Sequence, residues 1–106
     1  MTTVLHGNDV KAYALPRSVT IVGERAFDST QCLRSVKFNE GLQKLEEMCF
    51  AYSGIRKLVL STSVNVIGDS AFFNCAYLRD VDLRGAPNLV ELGRGVFCQC
   101  NNLKRV

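Results

Sequence analysis

Tryptophan is absent, proline occurs twice and histidine once in this chain of 106 residues. With a single histidine, a Ser-His-Asp or Cys-His site would have to be built on His6. No apolar run approaches the ~20 residues that cross a bilayer, so membrane insertion is not expected. The opening Met1-Thr2-Thr3-Val4-Leu5-His6-Gly7 has neither the charged nor the apolar stretch of a secretion signal. The expected setting is therefore the cytoplasm, or a fragment of a surface protein. Charge of one sign is also scarce: 13 basic against 10 acidic residues give +3, far from the basic density of a nucleic-acid domain. The sequence carries GERAF and GDSAF but no G-x-x-x-x-G-K or G-x-G-x-x-G, and no paired-carboxylate motif. No catalytic residue, metal or cofactor is assigned, and an enzyme is not expected. What remains is a 47% apolar chain of a size for one core.

That core is written as a repeat. Phe27, Phe50, Phe72 and Phe97 are spaced 23, 22 and 25 residues apart. Each is preceded at minus five by Val22, Leu45, Ile67 or Leu92, and at minus eight by Val19, Leu42, Val64 or Leu89. After each Phe comes a block with apolar residues at offsets 0, 3 and 5: Leu33, Val36, Phe38; Ile55, Leu58, Leu60; Leu78, Val81, Leu83. An earlier copy reads Val10, Tyr13, Leu15, and the last has Leu103 and Val106. The block ends in strict alternation, the mark of a short strand with one buried face. Connections so short and uniform cannot return antiparallel, so successive strands stack in parallel as a solenoid. The 22-residue spacing reflects a one-residue deletion at Ser53-Gly54-Ile55; the 25 reflects two extra residues in Arg84-Gly85-Ala86-Pro87-Asn88. Val19/Ile21 and Val64/Val66 are β-branched and expected to be extended, and GDSAFFN (68–74) to form a helical or 3-10 turn that drives Phe inward. Gly23, Gly68 and Gly93 share a column with Glu46, so positive φ is not compulsory there.

The segments LPRSVTIVGERAFDSTQCLRSVKF (15–38) and LSTSVNVIGDSAFFNCAYLRDVDL (60–83) resemble the BspA-like class of leucine-rich repeats. The resemblance covers essentially the whole chain. It departs at Cys49 and Val96 where Ala is usual, at Thr30 and Ser53 where Cys is usual, and at Glu46 for Gly. It implies an α/β leucine-rich-repeat right-handed solenoid of mostly short parallel β-strands with helical or 3-10 turns, about 4.5 repeats of 22–25 residues. One domain spans 1–106: a partial repeat 1–15, repeats 16–38, 39–60 and 61–83, and a final repeat 84–106 cut in its strand. It also implies a binding role, often on surface proteins, and no catalytic residues.

Candidate interaction residues follow from the columns. The residue after the first apolar of each strand block is Lys11, Arg34, Arg56, Arg79 or Lys104, basic in every copy. Stacked at strand spacing they form a ladder ~20 Å long on the rim of the strand face. Its charges either pair locally with residues such as Asp80 or Glu24, or form a docking edge for an acidic protein surface or another polyanion. Facing outward between buried strand positions are Ala12, Ala14, Ser35, Lys37, Lys57, Val59, Asp80, Asp82 and Arg105. A variable surface on a repeating scaffold is how solenoids present binding sites. No aromatic is interleaved there to stack bases; Tyr52 and Tyr77 lie in turns. Of the five cysteines, Cys75 and Cys100 share a column with Thr30 and Ser53, which favours small packing residues. Stacked cysteines are within disulfide reach, but the odd count and absent signal argue for free thiols. Cys98-x-Cys100 lacks the further ligands of a zinc site. His6 aligns with Asn74, in a solvated turn.

Neither end resembles a capping unit, so homo-oligomerisation through open solenoid ends or a domain swap is expected. The functional expectation is a non-enzymatic module that binds another protein through the strand face and its basic rim. The alternatives are a stacking segment of a longer surface or scaffold protein, and polyanion binding by the basic ladder.

Overall fold

In the computed structural model, described over residues 11–104, each L-x-x-V-x-L block contributes a three-residue strand. These are β1 (Ala12–Ala14), β3 (Ser35–Lys37), β5 (Lys57–Val59) and β7 (Asp80–Asp82). Nine residues or so later each coil contributes a two-residue strand: β2 (Ile21–Val22), β4 (Lys44–Leu45), β6 (Val66–Ile67) and β8 (Glu91–Leu92). All pairings are parallel. The short strands form one four-stranded sheet, β2-β4-β6-β8, and the longer ones form two pairs, β1-β3 and β5-β7. Coils are numbered 1 to 4 below by Phe27, Phe50, Phe72 and Phe97. The parallel solenoid and the β-branched extended segments thus stand as the columns indicate.

The third side is a ladder of turns. Arg25, Phe27 and Ser29 donate their N–H groups to the carbonyls of Glu47, Cys49 and Ala51 in the next coil, at 3.1, 2.7 and 2.8 Å. Ala26, Asp28 and Thr30, between them, donate back within the coil to Gly23, Arg25 and Phe27. Coil 2 repeats this with Met48, Phe50 and Tyr52 onto Asp69, Ala71 and Phe73, and coil 3 onto Arg94, Val96 and Cys98. The alternation requires a left-handed residue on each side of every Phe. Arg25 and Ser29, Met48 and Tyr52, Ser70 and Asn74, Gly95 and Gln99 all have φ between 53° and 65°. Most of these are not glycine, so each costs about 1–2 kcal/mol, offset by inter-coil hydrogen bonds. The geometry is thus more specific than the expected helical or 3-10 turn. Among the described residues the 3-10 helix is Leu83–Gly85, in the two-residue insertion. The shared glycine column has ordinary φ. Gly68 and Gly93 serve close approach instead: a Cβ on Gly93 would lie 2.5 Å from the Asp69 amide nitrogen.

The core is a stack of rings. Phe27, Phe50 and Phe72 are fully buried. Phe27 and Phe50 lie parallel at 4.8 Å, Phe50 and Phe72 at 5.5 Å, and Phe72 and Phe97 at 6.0 Å. Tyr13 joins at one end, 5.7 Å from Phe27, and Phe38 meets Phe50 edge-on. In coils 1 to 3 the minus-five and minus-eight columns, with Leu33, Ile55 and Leu78, close around the stack; in coil 4 Leu92 is 48% exposed and Leu89 half-buried. Each fully buried Phe or Leu contributes about 1.5–3 kcal/mol of burial. His6, Val4, Leu5, Val10, Arg105 and Val106 lie outside the described residues, as do the open ends invoked for self-association.

The one-residue deletion has a structural consequence. In coil 2 the path from Phe50 to Ile55 is five residues, against six from Phe27 to Leu33. The sheet of longer strands divides at this coil: β3 pairs with β1 and β5 with β7, but β3 and β5 do not form a ladder.

Candidate functional site: the charged rim and the strand face

The first residue of the rim is placed by the backbone. Each strand block enters the sheet one residue after its buried Leu or Ile, and that residue donates to its counterpart one coil back. Arg34 N–H bonds to the Lys11 carbonyl at 2.7 Å, Arg56 to Arg34 at 3.1 Å, Arg79 to Arg56 at 2.9 Å and Lys104 to Arg79 at 2.8 Å. The structure therefore brings all five expected basic residues together as directly linked rungs of one ladder. All five are exposed. Among the described residues none makes an ion pair; the pairs present are Arg25–Asp28, Lys44–Glu46 and Asp82–Arg84. Local pairing with Asp80 or Glu24 is absent from that set. Neighbouring charges at strand spacing repel by under about 1 kcal/mol in water, a cost that splayed side chains and salt reduce.

Beside the column, Arg56, Arg79 and Lys104 line a groove of about 390 Å³ with Tyr77 and Asn102. A second groove, of about 610 Å³, runs over the strand face along Lys57, Asp80, Asp82, Arg84 and Lys104. Ala12, Ala14, Ser35, Lys37, Lys57, Val59, Asp80 and Asp82 are all exposed there, with Val59 at 55%. Lys57 stands in register with Asp80, and Val59 with Asp82. Asp82 differs from the rest of this face. Its carboxylate accepts from the Arg84 amide and guanidinium at 3.0 Å, capping the 3-10 helix. These hydrogen bonds hold its carboxyl below the usual range. Asp82 is thus engaged by its own loop, while Lys37, Lys57 and Asp80 face solvent.

A second charged column is present that a strand-centred reading passes over. The residue three before each Phe is Glu24, Glu47, Asp69 or Arg94, acidic in coils 1 to 3 and exposed. The column is legible in the sequence once the Phe offsets are fixed; what hid it is its place outside the strand blocks. Glu24, Glu47 and Asp69 line a groove of about 530 Å³ over the four-stranded sheet.

The cysteines form no disulfide among the described residues. Thr30 Oγ1 donates to the Phe27 carbonyl of its own coil at 2.6 Å; Cys75 Sγ and Cys100 Sγ donate one coil back, to the Phe50 and Phe72 carbonyls. The column is a polar spine beneath the turns, with Ser53 Oγ 3.3 Å from Cys75 Sγ. The neighbouring Cys100 thiol, and burial, push the Cys75 thiol well above its ordinary range. The same neighbouring pair shifts Cys100 the other way, down to about 7. Burial, with the nearby Glu46 carboxylate, raises Cys49. Among the described residues no cluster of His, Cys, Asp and Glu could hold a metal ion, and no helix is long and apolar enough to cross a membrane.

The repeat profile described as the BspA type leucine rich repeat region matches residues 3–106, in six copies. A search of curated protein sequences gives no match. Among solved structures the chain is similar to a leucine-rich repeat protein from Bacteroides ovatus, with 21% identity and a TM-score of 0.60. The pneumococcal vaccine antigen PcpA is similar with 18% identity and a TM-score of 0.61. These alignments cover 91% and 92% of this chain but only 30% and 40% of those proteins. At such identities the likeness concerns the fold. Repeats of this type typically serve as protein-interaction or structural modules without enzymatic activity. The repeat profile, the column spacing and the shared solenoid place this chain in the BspA-type leucine-rich-repeat family.

Proposed function

We propose that the chain is a non-enzymatic protein-interaction module that binds an acidic partner surface through the basic column and the adjoining strand face. The observation that carries this reading is a row of five exposed cations, hydrogen-bonded backbone to backbone, with no carboxylate at ion-pair distance among the described residues. Side chains aligned on a repeating backbone are pre-oriented, so a ligand meets several charges for little further ordering. Uncommitted Lys37, Lys57 and Val59 beside the column supply contacts that differ from coil to coil. The chemistry of the face is recognition: among the described residues it offers cations and a small apolar patch.

The test uses fluorescent poly-glutamate as the probe and a variant neutralised at three central rungs, Arg34→Gln, Arg56→Gln and Arg79→Gln. The expected result is binding by the natural chain that weakens steeply with salt and falls at least about tenfold in the variant. Equal affinity in a folded variant overturns the reading. Equal affinity for a single-stranded nucleic acid, independent of sequence, would assign the column to polyanions in general. A structural stacking role has one specific support: the chain spans less than half the length of the two solved proteins it resembles.

A further inference from the structure

The basic column borders two faces. On one side is the strand face; on the other is the ladder of turns, whose far edge is the acidic column Glu24, Glu47 and Asp69. Between these edges, coils 2 and 3 bring apolar side chains to the surface. Tyr52 is 40% and Tyr77 60% exposed, with half-buried Met48 and Phe73 beside them. Tyr52 stands edge-on to Phe73 at 5.5 Å, and a groove of about 430 Å³ runs between the two tyrosines. An aromatic centre within a charged rim is the composition of a protein–protein contact. Here one rim is acidic and the other basic.

Symmetry selects the partner. Consider a second copy laid face to face by a two-fold axis parallel to the solenoid axis. The acidic edge of each copy then lies over the basic edge of the other, on both sides and at equal height. Both columns repeat once per coil, so the match holds rung by rung: Glu24 with Arg34, Glu47 with Arg56, and Asp69, through the oxygen not held by the Arg94 N–H, with Arg79. A two-fold axis across the solenoid would instead set acid on acid and base on base. We infer that the turn face is a self-complementary surface through which two copies of this chain pair side by side and parallel. Near the middle of the face, half-buried Phe73 and exposed Cys98 lie close to their own copies at the axis, while Ala51 beneath them is buried. The fourth rung opposes the pairing, because Arg94 faces Lys104. Four coils at ~4.8 Å make a face ~19 Å tall, smaller than a stable dimer uses, so the pairing is weak and concentration-dependent.

This inference shares Arg34, Arg56 and Arg79 with the proposed docking edge, so pairing and partner binding compete. The acidic edge belongs to pairing alone, which separates the two experimentally. Sedimentation equilibrium, from about 10 µM to about 1 mM in about 20 mM salt, is the measurement. The weight-average mass is expected to rise above the 11.8 kDa of one chain and to fall back when salt is raised. Glu24→Lys with Glu47→Lys should weaken association at least about tenfold. Adding Arg34→Glu and Arg56→Glu to the same chain should restore it, and Arg94→Glu in the natural chain should strengthen it. Oxidation through exposed Cys98 should trap a covalent pair, as the parallel arrangement requires. A monomer at about 1 mM in low salt, or undiminished association after reversal of the acidic edge, overturns the inference. A monomer that still binds poly-glutamate leaves the docking reading intact, and a pair that ignores poly-glutamate does the reverse.

Discussion

Gly54→Ala tests the account of the short repeat most directly. Elsewhere, replacing Gly by Ala at an ordinary φ stabilises by about 0.4–1 kcal/mol through the unfolded chain. At Gly54 the sign reverses. With one residue missing, the backbone cuts across the corner, and the Gly54 N–H bonds to the Thr30 carbonyl at 3.2 Å. An added Cβ would sit 2.1 Å from the Gln31 oxygen and 2.9 Å from the Leu33 oxygen. Both are backbone atoms that cannot rotate away, so coil 2 must withdraw by about 1 Å to reach ordinary contact. That displacement costs the Gly54–Thr30 hydrogen bond and strains the Arg56–Arg34 bond, about 1 kcal/mol each, plus about 1–2 kcal/mol of repacking. The sum is about 3–4 kcal/mol, a large part of the stability of a domain this size. It corresponds to a thermal midpoint lower by roughly 10–30 °C. Urea unfolding followed by far-ultraviolet circular dichroism measures it. Gly85→Ala is the control, since its Cβ meets nothing nearer than the Leu60 oxygen at 3.7 Å; its effect should stay within about 0.5 kcal/mol. Inserting one residue between Ser53 and Gly54 should rescue Gly54→Ala by restoring the 23-residue path. A loss under about 1 kcal/mol, or no rescue, would refute the reasoning.

The ring stack predicts a gradient. Phe50→Ala, which removes a ring packed against Phe27, Phe38 and Phe72, should cost about 3–5 kcal/mol, and the half-buried Phe97→Ala clearly less, by denaturant unfolding. At the left-handed site Gln99, φ 63°, Gln99→Gly should gain up to about 1 kcal/mol and Gln99→Val should lose about 1–2. Thiol ionisation sets the pH profile. Cys100 titrates near 7 in the folded chain and near 9 unfolded, so stability should rise with pH across that window. Cys49 and Cys75 are raised instead, so their contribution is lost above pH 9, by up to about 1.4 kcal/mol per pH unit per thiol. Urea midpoints should therefore peak near pH 9, and Cys49→Ser with Cys75→Ser should flatten the alkaline decline.

Much of the fold is legible because a solenoid writes its core in columns. Val22, Leu45, Ile67 and Leu92 share one offset from Phe, and each lands on a two-residue strand; Lys11, Arg34, Arg56, Arg79 and Lys104 each follow the first apolar residue of a strand block, and each becomes a rung of one ladder. The turn geometry is less legible. Arg25, Met48, Ser70 and Gly95 occupy one left-handed column with four unrelated side chains, because inter-coil hydrogen bonds impose the conformation and residue preference does not. Asp82 shows a second limit: alternation puts it outward, but the Arg84 side chain two residues on, within an insertion, claims its carboxylate. The split between β3 and β5 was hidden for a related reason. A single missing residue changes hydrogen-bond alignment while leaving every buried position in place.

That split also gives the molecule a mechanical axis. Between coils 2 and 3 the four-stranded sheet runs on through β4 and β6, while the opposite side lacks a ladder and keeps the Arg56–Arg34 bond. Stiffness is therefore unequal around the circumference: the four-stranded sheet and the ladder of turns are continuous, while the strand face is jointed at mid-height. Bending about the continuous walls spreads or closes the gap between Lys37 and Val59 without disturbing the pairing within β1-β3 or β5-β7. The strand face is two rigid half-panels on a common spine, able to adjust their angle to the curvature of whatever lies against them.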